Sequence, residues 1–109
     1  MATIKSYTDI EQSRKLVKIL PIESADMYYP IEGASPKFGV AISILHIPCW
    51  SLAALLSVLP YPSLHKTFSG WRCDSYNKEG TTCKLGESLD NPVDACYEMI
   101  LKLYELRML

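Results

Sequence analysis

From Phe38 to Leu64 the chain carries no Asp, Glu, Lys or Arg, and no other feature limits so strongly what it can fold into. An uncharged run of that length could cross a bilayer, which takes about 20 apolar residues in one helix. Proline breaks it up: Pro48 interrupts the run, and Pro60 and Pro62 close it. A proline removes a backbone donor and clashes with the preceding helical turn, so the run divides into two shorter elements. Neither spans a membrane alone, and the chain reads as a soluble protein.

The two halves have different periods. Phe38, Val40, Ile42 and Ile44 recur at every second position, with Gly39, Ala41 and Ser43 between them. That pattern predicts a strand from Phe38 to Ile47, ended by Pro48 and central in its sheet, because one side is apolar and the other small. Trp50 to Leu59 predicts a short helix with Ser51 near its cap. Only Ser51 and Ser57 are polar in it, and a helix apolar all round is buried all round, inside the domain or against another subunit.

Outside the run, Thr8 and Glu11 fit a capping box. Ile10, Leu16, Val17 and Leu20 follow at helical spacing, and Pro21 ends the helix. Met27 to Glu32 is a strand candidate limited by Pro30 to an edge or a strand end. Trp71, Cys73 and Ser75 alternate with Arg72, Asp74 and Tyr76 as in a half-buried strand. Asn77-Lys78-Glu79-Gly80 fits a hairpin turn that sets Ser75 opposite Cys83, Asp74 opposite Lys84 and Cys73 opposite Leu85. Cys73, Cys83 and Leu85 then face the core, Asp74 and Lys84 face water, and Cys73 and Cys83 are too oblique for a disulfide. The last helix has Asn91 as N-cap, Pro92 at its first position and Asp94 in its first turn. Val93, Cys96, Met99, Ile100, Leu103 and Leu106 form its apolar stripe. The order α-β-β-α-β-β-α predicts an α+β fold, an antiparallel sheet with helices packed on it.

The chain of 109 residues is one domain, residues 1–109. A net charge of -1 argues against nucleic-acid binding, which draws most of its affinity from phosphate neutralisation. Met1 to Lys15 lacks the apolar core of a secretory signal, and the four cysteines have no C-x-x-C pair, so a cytoplasmic protein with reduced thiols is expected. No phosphate-binding glycine loop or nucleophile elbow occurs, and Cys73 and Cys83 lack the spacing of a zinc knuckle. No cofactor and no metal is therefore expected. Cys49, near a helix start, with His46 as base is the one nucleophilic arrangement available; a small buried thiol is the competing reading. Two surfaces could bind a partner. The helix carrying Trp50, Leu52 and Leu55 could bury one side in a homodimer. The hairpin face with Arg72, Tyr76 and Lys84 mixes basic and aromatic groups, as a protein or single-stranded nucleic-acid surface does, and as an ordinary solvated sheet also does.

Ile47-Pro48-Cys49-Trp50-Ser51-Leu52-Ala53-Ala54-Leu55-Leu56 and Asp90-Asn91-Pro92-Val93-Asp94-Ala95-Cys96-Tyr97-Glu98-Met99-Ile100 carry a resemblance. The chain resembles small uncharacterised proteins encoded in prophages and conjugative elements of gut bacteroidete bacteria. In these W-S-L-A-A-L-L, a Trp-bearing hairpin and an N-P-x-D-A-x-x-E-M helix recur in this order. More loosely it is similar to small phage α/β sandwich proteins, and its hairpin-to-helix junction is similar to antitoxins of the HicB type. The resemblance implies a setting rather than a mechanism, and it carries no functional residues. The expectation is a non-enzymatic accessory or interaction protein of a mobile genetic element, with an unidentified protein partner or as a homodimer. The alternative is a small nucleic-acid-associated or antitoxin-like regulator.

Overall fold

The structure is a computed structural model that describes residues 5–76, 82–84, 89–107 and 109. Its elements are α1 (Ile10–Val17), β1 (Met27–Tyr29), β2 (Lys37–Phe38), β3 (Ile47–Cys49), α2 (Leu52–Val58), β4 (Pro62–Thr67), β5 (Gly70–Tyr76), β6 (Thr82–Lys84) and α3 (Pro92–Glu105). The fold is α+β, with strands that pair antiparallel throughout. The sheet is divided in two, in the orders β2-β1-β3 and β4-β5-β6.

The helices start where side chains can absorb their free amides. Asn91 accepts the Asp94 amide at 2.8 Å with Pro92 following it, and Ser51 accepts the Ala54 amide at 3.2 Å. In α1 the capping box lies one residue later than Thr8 and Glu11. Asp9 accepts the Gln12 amide at 2.8 Å, and Gln12 accepts the Asp9 amide at 3.2 Å. Thr8 is instead fully buried. The stripe of α3 is as read for Val93, Cys96, Met99, Ile100 and Leu103, all fully buried; Leu106 lies past the helix end and is exposed. These side chains meet Leu16 and Leu20 behind α1, Trp50 and Leu55 of the β3–α2 corner and Cys73 of β5 in one core.

Thr8 joins the N-terminal segment to that corner. Its amide donates to the Trp50 carbonyl at 2.9 Å, and its hydroxyl accepts the Trp50 amide at 3.1 Å. The same hydroxyl lies 2.8 Å from that of buried Ser13. Its carbonyl accepts the Tyr29 hydroxyl at 2.7 Å. One residue thereby ties α1, β1 and the β3–α2 corner together.

The strand predicted from Phe38 to Ile47 does not form. Two residues, Lys37 and Phe38, pair with β1, and three, Ile47 to Cys49, pair with its other side. The reason is the length of β1. Past Phe38 the register runs toward the residues before Met27, where Ile22–Ser24 forms a 3₁₀ turn, and before Ile47 it meets Pro30, so β1 has only three residues to offer and nothing remains for positions 40 to 46 to pair with. Gly39 turns the chain away at φ 132°, and a Ser43-to-His46 turn brings it back. Pro48 lies within β3 rather than ending it, which is permitted because β3 is an edge strand. The candidate at Met27 to Glu32 shortens to β1 and becomes the central strand.

β4 was not indicated by sequence, since Pro62 at its start and a histidine-lysine pair obscure any alternation in Pro62–Thr67. It pairs with β5 along its full length around a two-residue loop, Phe68-Ser69. Gly70 closes that loop at φ 138°, and a Cβ there would stand 2.4 Å from the Leu89 carbonyl oxygen, so no other residue fits. The hairpin register differs from the one read from the sequence. Tyr76 faces Thr82, but Ser75 faces Lys84, so one step on β5 matches two on β6, a bulge. Lys84 is thus not opposite Asp74. The Asn77–Gly80 turn, Leu85 and the side chain of Cys83 lie outside the described residues. Cys73 carries a free thiol.

Replacing Thr8 by Val keeps the shape and removes the hydroxyl, leaving the buried Trp50 amide without its acceptor. An unsatisfied buried donor costs about 1–3 kcal/mol. Urea unfolding should show that loss for Thr8→Val with an unchanged slope; a variant as stable as the parent would remove Thr8 from this role.

Candidate functional site

With β1 too short to hold it, the segment after β2 presents its apolar side chains to water. Phe38 is 78% exposed, Ile42 86% and Ile44 100%, and Val40 and Leu45 are more than half exposed. Two contacts hold the segment's ends. The Gly39 amide donates to the Asp26 carbonyl at 3.0 Å. His46 stacks on Tyr28 with ring centroids 4.5 Å apart and accepts the Ile42 amide on Nδ1 at 3.2 Å. The amides of Val40, Ala41 and Ile44 make no hydrogen bond to any described residue. Beside Phe38 opens a depression of about 620 Å³, bounded by Tyr7, Asp26, Ser51 and Leu52. Asp26 stiffens its floor by accepting both the Ser51 amide, at 2.9 Å, and the Ser51 hydroxyl.

The residues singled out in the sequence are dispersed. Trp50 and Leu55 are fully buried within the protomer, where α2 packs on α3, so they are core residues and not an interface. The Trp50 indole donates to Ser24 Oγ at 2.9 Å. Leu52, half-buried, lines the depression beside Phe38. Arg72 is engaged by Asp74, its Nε donating to Oδ1 at 3.1 Å. Lys84 is out of step with Arg72 in register, and the side chains of Tyr76 and Lys84 lie outside the described residues. Of the basic and aromatic face, only Arg72 has a described side chain.

Asp74, expected in water, is 4% exposed. Besides Arg72 it has His65 Nε2 at 4.0 Å from Oδ2, so His65 has a carboxylate neighbour that only the β4–β5 pairing reveals. Ser63 stands opposite Asp74 on the same sheet face. No hydrogen bond links Ser63 to His65, and Arg72 holds the carboxylate, so this trio is not set up to activate a nucleophile. Cys49 is fully buried, and its thiol donates to the Thr8 carbonyl at 3.4 Å. Burial pushes that thiol up against hydrogen bonds from Thr8, Tyr29 and Ser13. His46 is not among its partners, so the nucleophile and base do not meet. The hydrogen bond with Cys73, together with burial, pushes Cys96 far above the ordinary thiol range, and both sulfurs are closed off from solvent. Among the described residues no group of three His, Cys, Asp or Glu side chains could hold a metal ion, and no helix is long and apolar enough to cross a membrane.

Compared with protein-family models, with curated proteins and with solved structures, the chain matches none. The exposed segment from Phe38 to Leu45, with the depression beside it, is the feature that the fold itself does not use. Its sequence signal was the uncharged run with period two, which marks an apolar face without saying what covers it.

The remaining charge cluster clasps the N-terminus to α3. Lys5 Nζ lies 3.1 Å from Asp9 and 3.0 Å from Asp94, and Gln12 donates to Asp94 at 2.8 Å. Burial raises the Asp94 pKa, but hydrogen bonds from Gln12, Lys5 and Asn91 outweigh it and hold the carboxyl below its usual value. A depressed carboxyl stabilises the fold above its unfolded pKa, about 3.9, and the gain disappears as pH falls through the folded value. With Asp94 partly exposed, Asp94→Asn should cost about 0.5–1 kcal/mol at neutral pH. Urea titrations of both proteins should converge at the acid end; a difference independent of pH would contradict this assignment.

Proposed function

We propose that the protein is a non-enzymatic interaction protein that acts in the cytoplasm by binding another protein surface through Phe38–Leu45. The observation that carries this reading is the contiguous exposure of Phe38, Val40, Ile42, Ile44 and Leu45. These five side chains expose on the order of 600 Å², the upper end of what monomeric proteins leave open, and larger patches mark interaction sites. Chemistry has no comparable support among the described residues: Cys49, Cys73 and Cys96 are buried, and no hydrogen bond links Ser63 to His65. The antitoxin-like alternative needs a free basic and aromatic face, whereas Arg72 is taken up by Asp74. The mobile-element setting rests on the sequence resemblance alone.

A photo-crosslinking residue in place of Ile44, introduced in the native host, tests this directly. A discrete protein adduct should form there, disappear when Ile42→Lys is added, and be absent when the crosslinker replaces exposed Glu23 in the 3₁₀ turn Ile22–Ser24. Equal adducts at both positions, or none at position 44, would overturn the proposal.

A further inference from the structure

We propose, building on that reading, that the occupant of the Phe38–Leu45 surface is a second copy of this chain, meeting the same surface across a two-fold axis. Three observations point to it. Across a two-fold axis each residue meets a different residue of the copy and only groups at the axis meet themselves, so a surface without charge self-pairs without repulsion wherever the axis falls. No Asp, Glu, Lys or Arg occurs from Phe38 to Leu64, which includes the whole segment and the α2 side of the depression.

The second observation is the edge. β2 is the outer strand of its sheet, and the chain continues from it with apolar groups at every second position through Ile44. The amides of Val40, Ala41 and Ile44 are without partners among the described residues. An outer strand followed by free backbone donors and exposed apolar groups leaves that side of the sheet open to contact with another chain. β1 does not reach these amides within the protomer, and acceptors of a second copy seated on the segment can.

The third is area. Two such faces remove on the order of 1,200 Å² from water, the lower bound for a specific stable interface. The depression beside Phe38 adds a concave part, with Met27, Leu52 and Ala53 among its apolar walls and Asp26, engaged by Ser51, as its one charge. An interface of this size predicts an equilibrium between monomer and dimer rather than an obligate assembly.

Sedimentation velocity and light scattering over a broad concentration range decide the matter. The mass should rise from one chain to two and stop there, with little dependence on salt because no ion pair contributes. Ile44→Lys and Val40→Lys should weaken association by roughly a hundredfold, since each puts a lysine from both copies into an apolar contact. Their far-UV spectra and urea midpoints should match the parent, because neither side chain is in the core. A parent that stays monomeric throughout overturns the proposal, as do masses that climb past two or dimers indifferent to Ile44→Lys. A monomer that floats with phosphatidylcholine–phosphatidylglycerol vesicles through Ile44 overturns it in favour of a lipid surface. A monomer that still crosslinks a different protein at position 44 overturns only the second copy and leaves the interaction reading standing.

Discussion

A buried threonine holds the halves of this chain together. Thr8 uses its amide, hydroxyl and carbonyl at once, toward Trp50, Ser13, Tyr29 and Cys49. Around it the N-terminal segment crosses the β3–α2 corner as one short antiparallel pass, with Tyr7 facing Ser51 and the Leu52 amide donating to the Ser6 carbonyl at 3.0 Å. A hydroxyl buried without partners would cost more than its methyl group gains. Satisfied on all sides, it fixes one docking of α1 on the corner, and with that the placement of Trp50 and Leu16 in the core.

That docking also decides what stays outside. The core is completed by α3 and β5 against Trp50, Leu55 and Leu16, with contributions from neither Ile42 nor Ile44. The small β2-β1-β3 sheet is pinned at its base by Met27, Tyr29 and Cys49. Beyond Phe38 it has no strand to extend. The charge-free run is therefore split by burial as well as by proline: Pro48 to Leu59 builds the core, and Phe38 to Leu45 stays exposed to water.

Local chemistry made some of this legible in the sequence and hid the rest. Asn91-Pro92, Ser51 and the Val93–Leu103 stripe could be read because caps and helical spacing act within a few residues. The period-two run was read as a central strand because alternation reports an apolar face; whether a partner strand exists depends on the limits of β1, set by the Ile22–Ser24 turn before it and Pro30 after it. Thr8 looked like a cap because hydroxyl residues favour that place, and its burial becomes visible only once residue 50 lies beside it. Asp74 looked solvated for the same reason: its partners Arg72 and His65 gather around it only through the β4–β5 register and the bulge opposite Ser75. The exposed segment was present in the sequence as apolar residues, but its exposure follows from the shortness of β1.

Amide hydrogen exchange in protein dilute enough to be monomeric tests the division between core and exposed segment most directly. The Trp50 amide, donated to Thr8, should exchange only through unfolding of the whole domain, while those of Val40, Ala41 and Ile44 should exchange near the rate of an unfolded chain. Protection at residues 40 to 44 equal to that at Trp50 would mean that the segment is a strand of the folded core, and would contradict the account.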